Sequence, residues 1–174
     1  MLKIPFKGKY PLTQKFNDSR YRSNYAKFGM QGHNGLDYGV PKGTPIYAPH
    51  GGTVKETDYF DSDGYGWYIK ITNDKEGSVL GHFQKQSPLK PGTTVKTGDL
   101  VGYSGNTGNS TGPHLHWGYY REPRDRNNGF LGFLDQTYWM DVDNTEDLEI
   151  ALANIKKLID ALKLINSIVD DVLK

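Results

Sequence analysis

The segment GNTGNSTGPHLHWGYY, residues 105–120, joins a glycine-rich run to a stretch in which apolar and polar residues alternate. The glycines are typical of turns, and the alternation is typical of a strand. Residues i and i+2 of a strand point to the same face, so His114 and His116 can face one site while Leu115 and Trp117 face the core. The segment therefore predicts a loop that leads into a strand carrying two histidines on one face.

Residues 1–143 are rich in Gly, Pro and Tyr and contain several short alternating stretches, which predicts β structure with many turns. In one of these stretches Trp67, Ile69 and Ile71 share a face. The other candidate strands are residues 52–57, 78–83, 94–95, 100–103 and 114–120, and residues 61–66 have the composition of a turn. We therefore expect a mostly β fold, an antiparallel sheet or sandwich.

The composition changes from Asn144 onward, where Gly, Pro and aromatic residues are absent. Apolar residues there follow the three-four spacing of a coiled-coil heptad: Leu148, Ala151, Ile155, Leu158, Leu162, Ile165, Val169 and Val172. We predict two parts, a β-rich domain over residues 1–143 and an amphipathic C-terminal α-helix over residues 144–174. The strict 3.5-residue period favours a homo-oligomer formed through this helix, and the alternative is a helix folded back on its own domain.

Composition excludes several classes of protein. The net charge is +1 and the basic residues are scattered, so no nucleic-acid partner is predicted. Cysteine is absent, which excludes disulfides and thiolate metal ligands. No segment reaches the ~18 apolar residues of a membrane span. The N-terminus has no apolar leader before Pro5, so we expect a protein outside the general secretory route or one whose leader has been removed.

Four of the five histidines lie in short patterns bounded by glycine. They are the pair described above, His33 in HNGLD and His82 in LGHF. Imidazoles together with a carboxylate suit Zn²⁺ better than Mg²⁺ or Ca²⁺, and His33 lies four residues before Asp37. A strand-like path or a helix would bring these two together, and the intervening Asn-Gly pair argues against a helix. The fifth histidine, His50, is interpreted as a turn residue without a role.

Four motifs in this order resemble peptidase family M23, the LytM or lysostaphin-type zinc metallopeptidases that cut peptidoglycan peptides. The motifs are HNGLD at 33–37, GTPIYA at 43–48, GH at 81–82 and SGNTGNSTGPHLH at 104–116. The resemblance implies an M23 fold, akin to a barrel-sandwich hybrid, over most of the β-rich part. The region after Asn144 lies outside it.

The resemblance also implies roles for single residues. His33, Asp37 and His116 would bind Zn²⁺, and His82 and His114 would be the catalytic pair. Three protein ligands leave one tetrahedral position for water, as catalytic zinc sites require. One of the two catalytic histidines would accept the water proton while the other would hydrogen-bond the developing oxyanion, and the sequence leaves open which does which.

The sequence departs from the family pattern at two places beside the site. Leu80 stands where an aromatic residue often precedes Gly-His, and Gly118 stands where Glu often follows HxH and an aromatic residue. Both departures concern the surroundings of the site. Candidate aromatic walls of a substrate groove are Tyr21, Tyr25, Phe28, Tyr59, Phe60 and Tyr65, with rims over residues 18–31 and 58–66.

The predicted function is a zinc endopeptidase that hydrolyses peptide crosslinks of bacterial peptidoglycan and acts in the cell wall. A bacteriophage lytic or virion-associated tail protein is favoured as its setting, with a bacterial autolysin lacking its leader as the second. One alternative is a module that binds wall peptides without cutting them. A carrier domain is another, because residues 89–102 also resemble the hammerhead repeat of lipoyl and biotinyl domains, an element that M23 domains share.

Overall fold

The computed structural model describes residues 1–60, 64–140, 155–156, 158–159 and 162–163. The chain divides into two units, Met1–Asp141 and Val142–Lys174. Six residues of the second unit are described, and all six are helical. Most of the predicted C-terminal helix lies outside the described residues, so its length and the boundary at residue 143 stay predictions.

The first unit contains nine strands and one short α-helix among its described residues. The strands are β1 (Leu12–Gln14), β2 (Leu36–Tyr38), β3 (Pro45–Tyr47), β4 (Gly52–Phe60), β5 (Gly66–Thr72), β6 (Glu76–Phe83), β7 (Thr94–Val95), β8 (Leu100–Tyr103) and β9 (Leu115–Arg121). Helix α1 (Arg22–Ala26) follows a 3-10 turn at Ser19–Tyr21, and a second 3-10 turn spans Gln136–Trp139. No helix in the described part of the chain is long and apolar enough to cross a membrane.

Seven strands form one sheet in the order β1-β2-β9-β6-β5-β4-β7, and β3 pairs with β8 in a second sheet. Every strand pairing is antiparallel. The mostly β, antiparallel fold predicted from the sequence is thus confirmed.

The core follows the alternation that predicted the strands. Leu115 and Trp117 are fully buried on β9, as are Ile69 and Ile71 on β5. Full burial of each such side chain stabilises the fold by about 1.5–3 kcal/mol. Strand β6 is buried on both faces, because a second cluster of Tyr68, Val79, Tyr120 and Phe133 covers the face opposite the main core.

Candidate metal centre

Three adjacent strands bring the predicted site residues together. Asp37 on β2 lies opposite His116 on β9, and His116 lies opposite Gly81 on β6. His33 precedes β2 in a loop, which agrees with the prediction that this segment is not helical. All five residues singled out from the sequence therefore lie at one end of the β2-β9-β6 part of the sheet.

The side chains of His33, Asp37 and His116 converge on one point. His33 Nε2 lies 3.0 Å from His116 Nδ1 and 3.2 Å from Asp37 Oδ1, and His116 Nδ1 lies 2.9 Å from Asp37 Oδ1. All three residues are buried. This is the one group of metal-ligand side chains found among the described residues.

The surrounding backbone orients both imidazoles. His33 Nδ1 donates to the carbonyl oxygen of Lys15 at 3.0 Å, which orients the ring with Nε2 toward the cluster. His116 faces the cluster with Nδ1, and its Nε2 is buried without a hydrogen-bond partner in the described part of the chain. A Cβ atom on Gly35 would lie 2.9 Å from this Nε2, so only glycine leaves room for the ring.

The pKa values of the carboxyl group and the imidazoles in the cluster depend on one another. Burial alone would raise the pKa of Asp37, but hydrogen bonds and charge from His116 and His33 hold the pKa of this carboxyl well below its ordinary value. Burial lowers the pKa of His116, which favours neutral imidazole. The low pKa of Asp37 thus depends on imidazole N–H groups that face the carboxylate, and a bound cation would take the place of these protons.

His82 lies next to this cluster in an unusual backbone conformation. Its φ is 61°, in the left-handed region that non-glycine residues seldom adopt, and its backbone N–H donates to the carbonyl oxygen of Tyr65 at 2.8 Å. Nδ1 donates to the carbonyl oxygen of Thr107 at 2.7 Å. Burial, together with the neighbouring histidines, lowers the pKa of His82 to about 3. His82 is therefore neutral near pH 7, with the lone pair on Nε2.

His114 lies beside His82, with ring centroids 4.4 Å apart. Its Nδ1 lies 2.8 Å from the carbonyl oxygen of Gly112 and 3.0 Å from Ser110 Oγ, so the Nδ1 proton is shared between two acceptors of the same loop. Its Nε2 lies 3.6 Å from Asp37 Oδ2. In both His114 and His82, Nδ1 is hydrogen-bonded to a carbonyl oxygen of the loop, and Nε2 is the nitrogen that can interact with other groups.

The glycine-rich segment 105–113 contains the Thr107 and Gly112 carbonyl oxygens that bind these imidazoles, and it is hydrogen-bonded to the sheet. Thr107 Oγ1 accepts from the backbone N–H of Trp67 at 3.0 Å and donates to the carbonyl oxygen of Phe83 at 2.7 Å. Gly108 packs against Gly66 so closely that a Cβ atom on either would collide with the other backbone. The sequence predicted a turn here, and the structure adds that the turn orients both histidines.

Comparison with known proteins identifies the family. The sequence profile of Peptidase family M23 matches residues 31–128, more than half of the chain. The chain belongs to peptidase family M23. The predicted M23 resemblance is therefore confirmed, and this family is one of metallopeptidases.

Three of the similar proteins are named as peptidases or endopeptidases. Peptidoglycan DD-endopeptidase ShyC of Vibrio cholerae is 38% identical over 100 residues, which are 55% of this chain and 23% of that protein. The catalytic domain of the antimicrobial peptidase lysostaphin from Staphylococcus simulans has a TM-score of 0.62 and 25% identity, covering 75% of this chain and 91% of that one. A zinc-containing peptidase from Vibrio cholerae has a TM-score of 0.58 and 30% identity, and the match covers 67% of this chain and 35% of that one. The chain spans about a quarter of the length of the first curated relatives that it matches.

A groove of about 400 Å³ runs over the centre of this M23 domain. Four of the predicted aromatic walls, Tyr21, Tyr25, Phe28 and Tyr65, line it. The prediction for Tyr59 needs correction, because this side chain is not among the lining residues and packs edge-on against Trp67, with centroids 5.2 Å apart. The Phe60 side chain and residues 61–63, which belong to the second predicted rim, lie outside the described residues.

His50 lies in a bend, as the sequence suggested, and the structure adds that its side chain is buried. Its Nε2 lies 3.0 Å from Ser78 Oγ, which also accepts from Trp117 Nε1 at 3.2 Å. The side chain therefore contributes to the core beneath β9 and lies apart from the metal cluster.

Asn34, which was not singled out from the sequence, and Tyr25, which was predicted only as a groove wall, make further contacts beside the site. Asn34 Nδ2 donates to the Tyr65 hydroxyl at 2.7 Å, and the Tyr65 ring packs on the His116 ring with centroids 5.1 Å apart. The Tyr25 hydroxyl accepts from Gln14 Nε2 at 2.7 Å, and burial beside the Asp37 carboxylate raises the pKa of Tyr25 to about 12. Asn34 lies inside the HNGLD motif, so its position was a signal that the sequence did contain.

Proposed function

We propose that this M23 domain is a zinc-dependent endopeptidase that hydrolyses peptide crosslinks of bacterial peptidoglycan. The convergence of His33 Nε2, Asp37 Oδ1 and His116 Nδ1 beside an open groove carries this proposal. The names of its relatives supply the substrate class, since one is a peptidoglycan DD-endopeptidase and another is the antimicrobial peptidase lysostaphin.

Zinc fits the donor set. A tetrahedral zinc ion with bonds of about 2.0–2.1 Å holds its ligand atoms about 3.3 Å apart, and the three atoms lie 2.9–3.2 Å apart. Two imidazoles and one carboxylate are also the ligands of many catalytic zinc sites. When bound there, zinc would supply Lewis-acid activation of water and of the scissile carbonyl. The zinc-containing peptidase of Vibrio cholerae is further support.

The two remaining histidines supply proton transfer. His82 and His114 both keep Nδ1 hydrogen-bonded to the loop, so Nε2 of each is available to the reacting groups. One histidine of the pair would accept the proton of the attacking water and pass it to the leaving amine, and the other, with Nε2 protonated, would donate a hydrogen bond to the developing oxyanion.

A combined zinc and wall-digestion assay tests the proposal. The purified chain should contain one zinc ion, release soluble fragments from dye-labelled peptidoglycan, and lose this activity on chelation. Mass spectrometry should find new amino and carboxyl ends within the crosslink peptides. A zinc-loaded protein that binds wall material and cuts no bond would contradict the proposal and favour the binding module instead.

The biological setting and assembly are narrower proposals. Residues 144–174 are proposed as a separate helix that self-associates, supported by the heptad spacing and by the helical conformation of the six described residues there. Sedimentation of the chain with and without this segment tests this, and an unchanged monomeric mass would contradict it. The bacteriophage setting stays a prediction, to be tested by immunogold labelling of virions.

A further inference from the structure

The groove beside the metal centre contains one strongly basic side chain. Arg20 is the only arginine or lysine among the described residues that line it. Asp37 is the only acidic residue among them, and it belongs to the metal cluster. A guanidinium at the groove attracts a substrate with free carboxylates more strongly than an uncharged glycine bridge.

The exposed guanidinium of Arg20 is ion-paired with Asp18. Nε donates to Asp18 Oδ2 at 2.9 Å, and Nη2 donates to Asp18 Oδ2 at 2.5 Å and to the carbonyl oxygen of Thr13 at 3.2 Å. Nη1 has no acceptor in the described part of the chain. The planar guanidinium therefore has one edge tied to the protein and still has donors for a second carboxylate.

The same contacts tie Arg20 to the metal centre. Thr13, whose carbonyl accepts from Arg20, donates through Oγ1 to the backbone carbonyl of Asp37 at 3.1 Å. Thr13 lies on β1, which pairs with β2 so that Gln14 is opposite Asp37. Two hydrogen bonds through Thr13 therefore link the guanidinium to the strand that carries Asp37.

The geometry points to Arg20 as the residue that binds a carboxylate of the substrate peptide. The preferred substrate is then a crosslink with a free carboxylate near the scissile bond, as in diaminopimelate-type peptides, rather than an oligoglycine bridge. This assignment rests on the proposed peptidase function and adds the class of crosslink to it.

Three peptides and two variants test the assignment. The peptides are an acidic crosslinked peptide, the same peptide with the diaminopimelate carboxyl amidated, and an oligoglycine peptide. The variants are Arg20→Gln and, as matched control, Arg22→Gln. Arg22 lies two residues away in α1, donates to the Gln31 carbonyl oxygen at 3.0 Å and does not line the groove.

Arg20→Gln should weaken binding of the acidic peptide by about 10-fold and that of the amidated peptide by less than about 2-fold. Amidation should weaken binding to the unaltered chain by a similar ~10-fold and should have no further effect in Arg20→Gln, since both changes remove the same interaction. Arg22→Gln should bind all three peptides as the unaltered chain does. Fluorescence anisotropy gives the Kd, initial rates give KM and kcat, and zinc content with circular dichroism checks the fold.

Equal binding of the acidic peptide by Arg20→Gln and the unaltered chain would overturn the assignment, as would an equal loss for the acidic and amidated peptides. A preference of the unaltered chain for the oligoglycine peptide would overturn it too. The binding comparison does not require turnover. If the zinc-loaded chain cuts none of the peptides, the proposed function fails, while the Kd values still decide the role of Arg20.

Discussion

The proposed metal ligands and the proposed catalytic histidines are held in different ways. Asp37 and His116 lie opposite each other on paired strands, so the register of the sheet sets their separation. His82 and His114 instead hydrogen-bond through Nδ1 to carbonyl oxygens of one glycine-rich loop. The metal half of the site thus depends on the sheet, whereas the catalytic half depends on the conformation of a loop.

Removing one of the proposed metal ligands should abolish zinc binding. His116→Ala should lose zinc and reduce peptide hydrolysis to background, because two ligands do not hold the ion in a catalytic geometry. At free zinc about 1,000-fold above the Kd, the unaltered chain gains about 4 kcal/mol in free energy of unfolding, and the variant should not. Metal analysis and thermal unfolding with and without chelator measure both effects. A variant that keeps one zinc per chain would refute this ligand assignment.

Removing one of the proposed catalytic histidines should reduce turnover without affecting zinc binding. His114→Ala should keep zinc and lose turnover by ~10²–10⁴, the range for a general acid-base group. The measurement pairs zinc content with kcat on one peptide, and His116→Ala serves as the comparison that loses both. Loss of zinc from His114→Ala would mean that the two halves are not separate.

Sequence predicted the strand-borne features well. The alternation in residues 114–120 placed Leu115 and Trp117 in the core and His116 on the opposite face, and antiparallel pairing then followed. Motif spacing also singled out the histidines and Asp37 that converge in the fold. These features are encoded by the identities of residues along single strands.

Features set by backbone groups or distant packing were not predictable. The carbonyl oxygens of Lys15, Thr107 and Gly112 orient three imidazoles, and a carbonyl is the same in every residue type. Tyr59 was expected in the groove, but its position on β4 opposite Trp67 carries it away. The interpretation of His50 as a turn residue did not include its contact with Ser78, because nothing near it in sequence reveals that contact.

A larger residue packed against the His116 ring should weaken zinc binding while all three proposed ligands remain. A Cβ atom on Gly35 would lie 2.5 Å from the Trp117 carbonyl oxygen and 2.7 Å from His116 Cε1, so Gly35→Ala should displace this imidazole. Zinc affinity should fall by about 10- to 100-fold, as for other changes that misorient a ligand. Competition with a chromophoric chelator measures the Kd.

Gly51→Ala is the matched control for this crowding, because a Cβ atom there meets nothing nearer than 3.5 Å. It should bind zinc as the unaltered chain does. If Gly35→Ala also binds zinc normally, the ring of His116 is free to shift within the cluster, and sheet register constrains the metal half less than we infer.

Loosening the catalytic half should have the smallest effect. Ser110→Ala removes one of the two acceptors near His114 Nδ1, and the Gly112 carbonyl oxygen remains 2.8 Å away. A single hydrogen bond contributes about 0.5–1.5 kcal/mol, so kcat/KM should fall by about 2- to 10-fold with zinc content unchanged. Ser110→Thr should restore the rate, and Ser23→Ala in α1 should have no effect. A loss of kcat/KM as large as that of His114→Ala would show that the Gly112 carbonyl oxygen alone does not orient the imidazole. In that case the side chains of the loop, and not its backbone, would determine the orientation of the catalytic histidines.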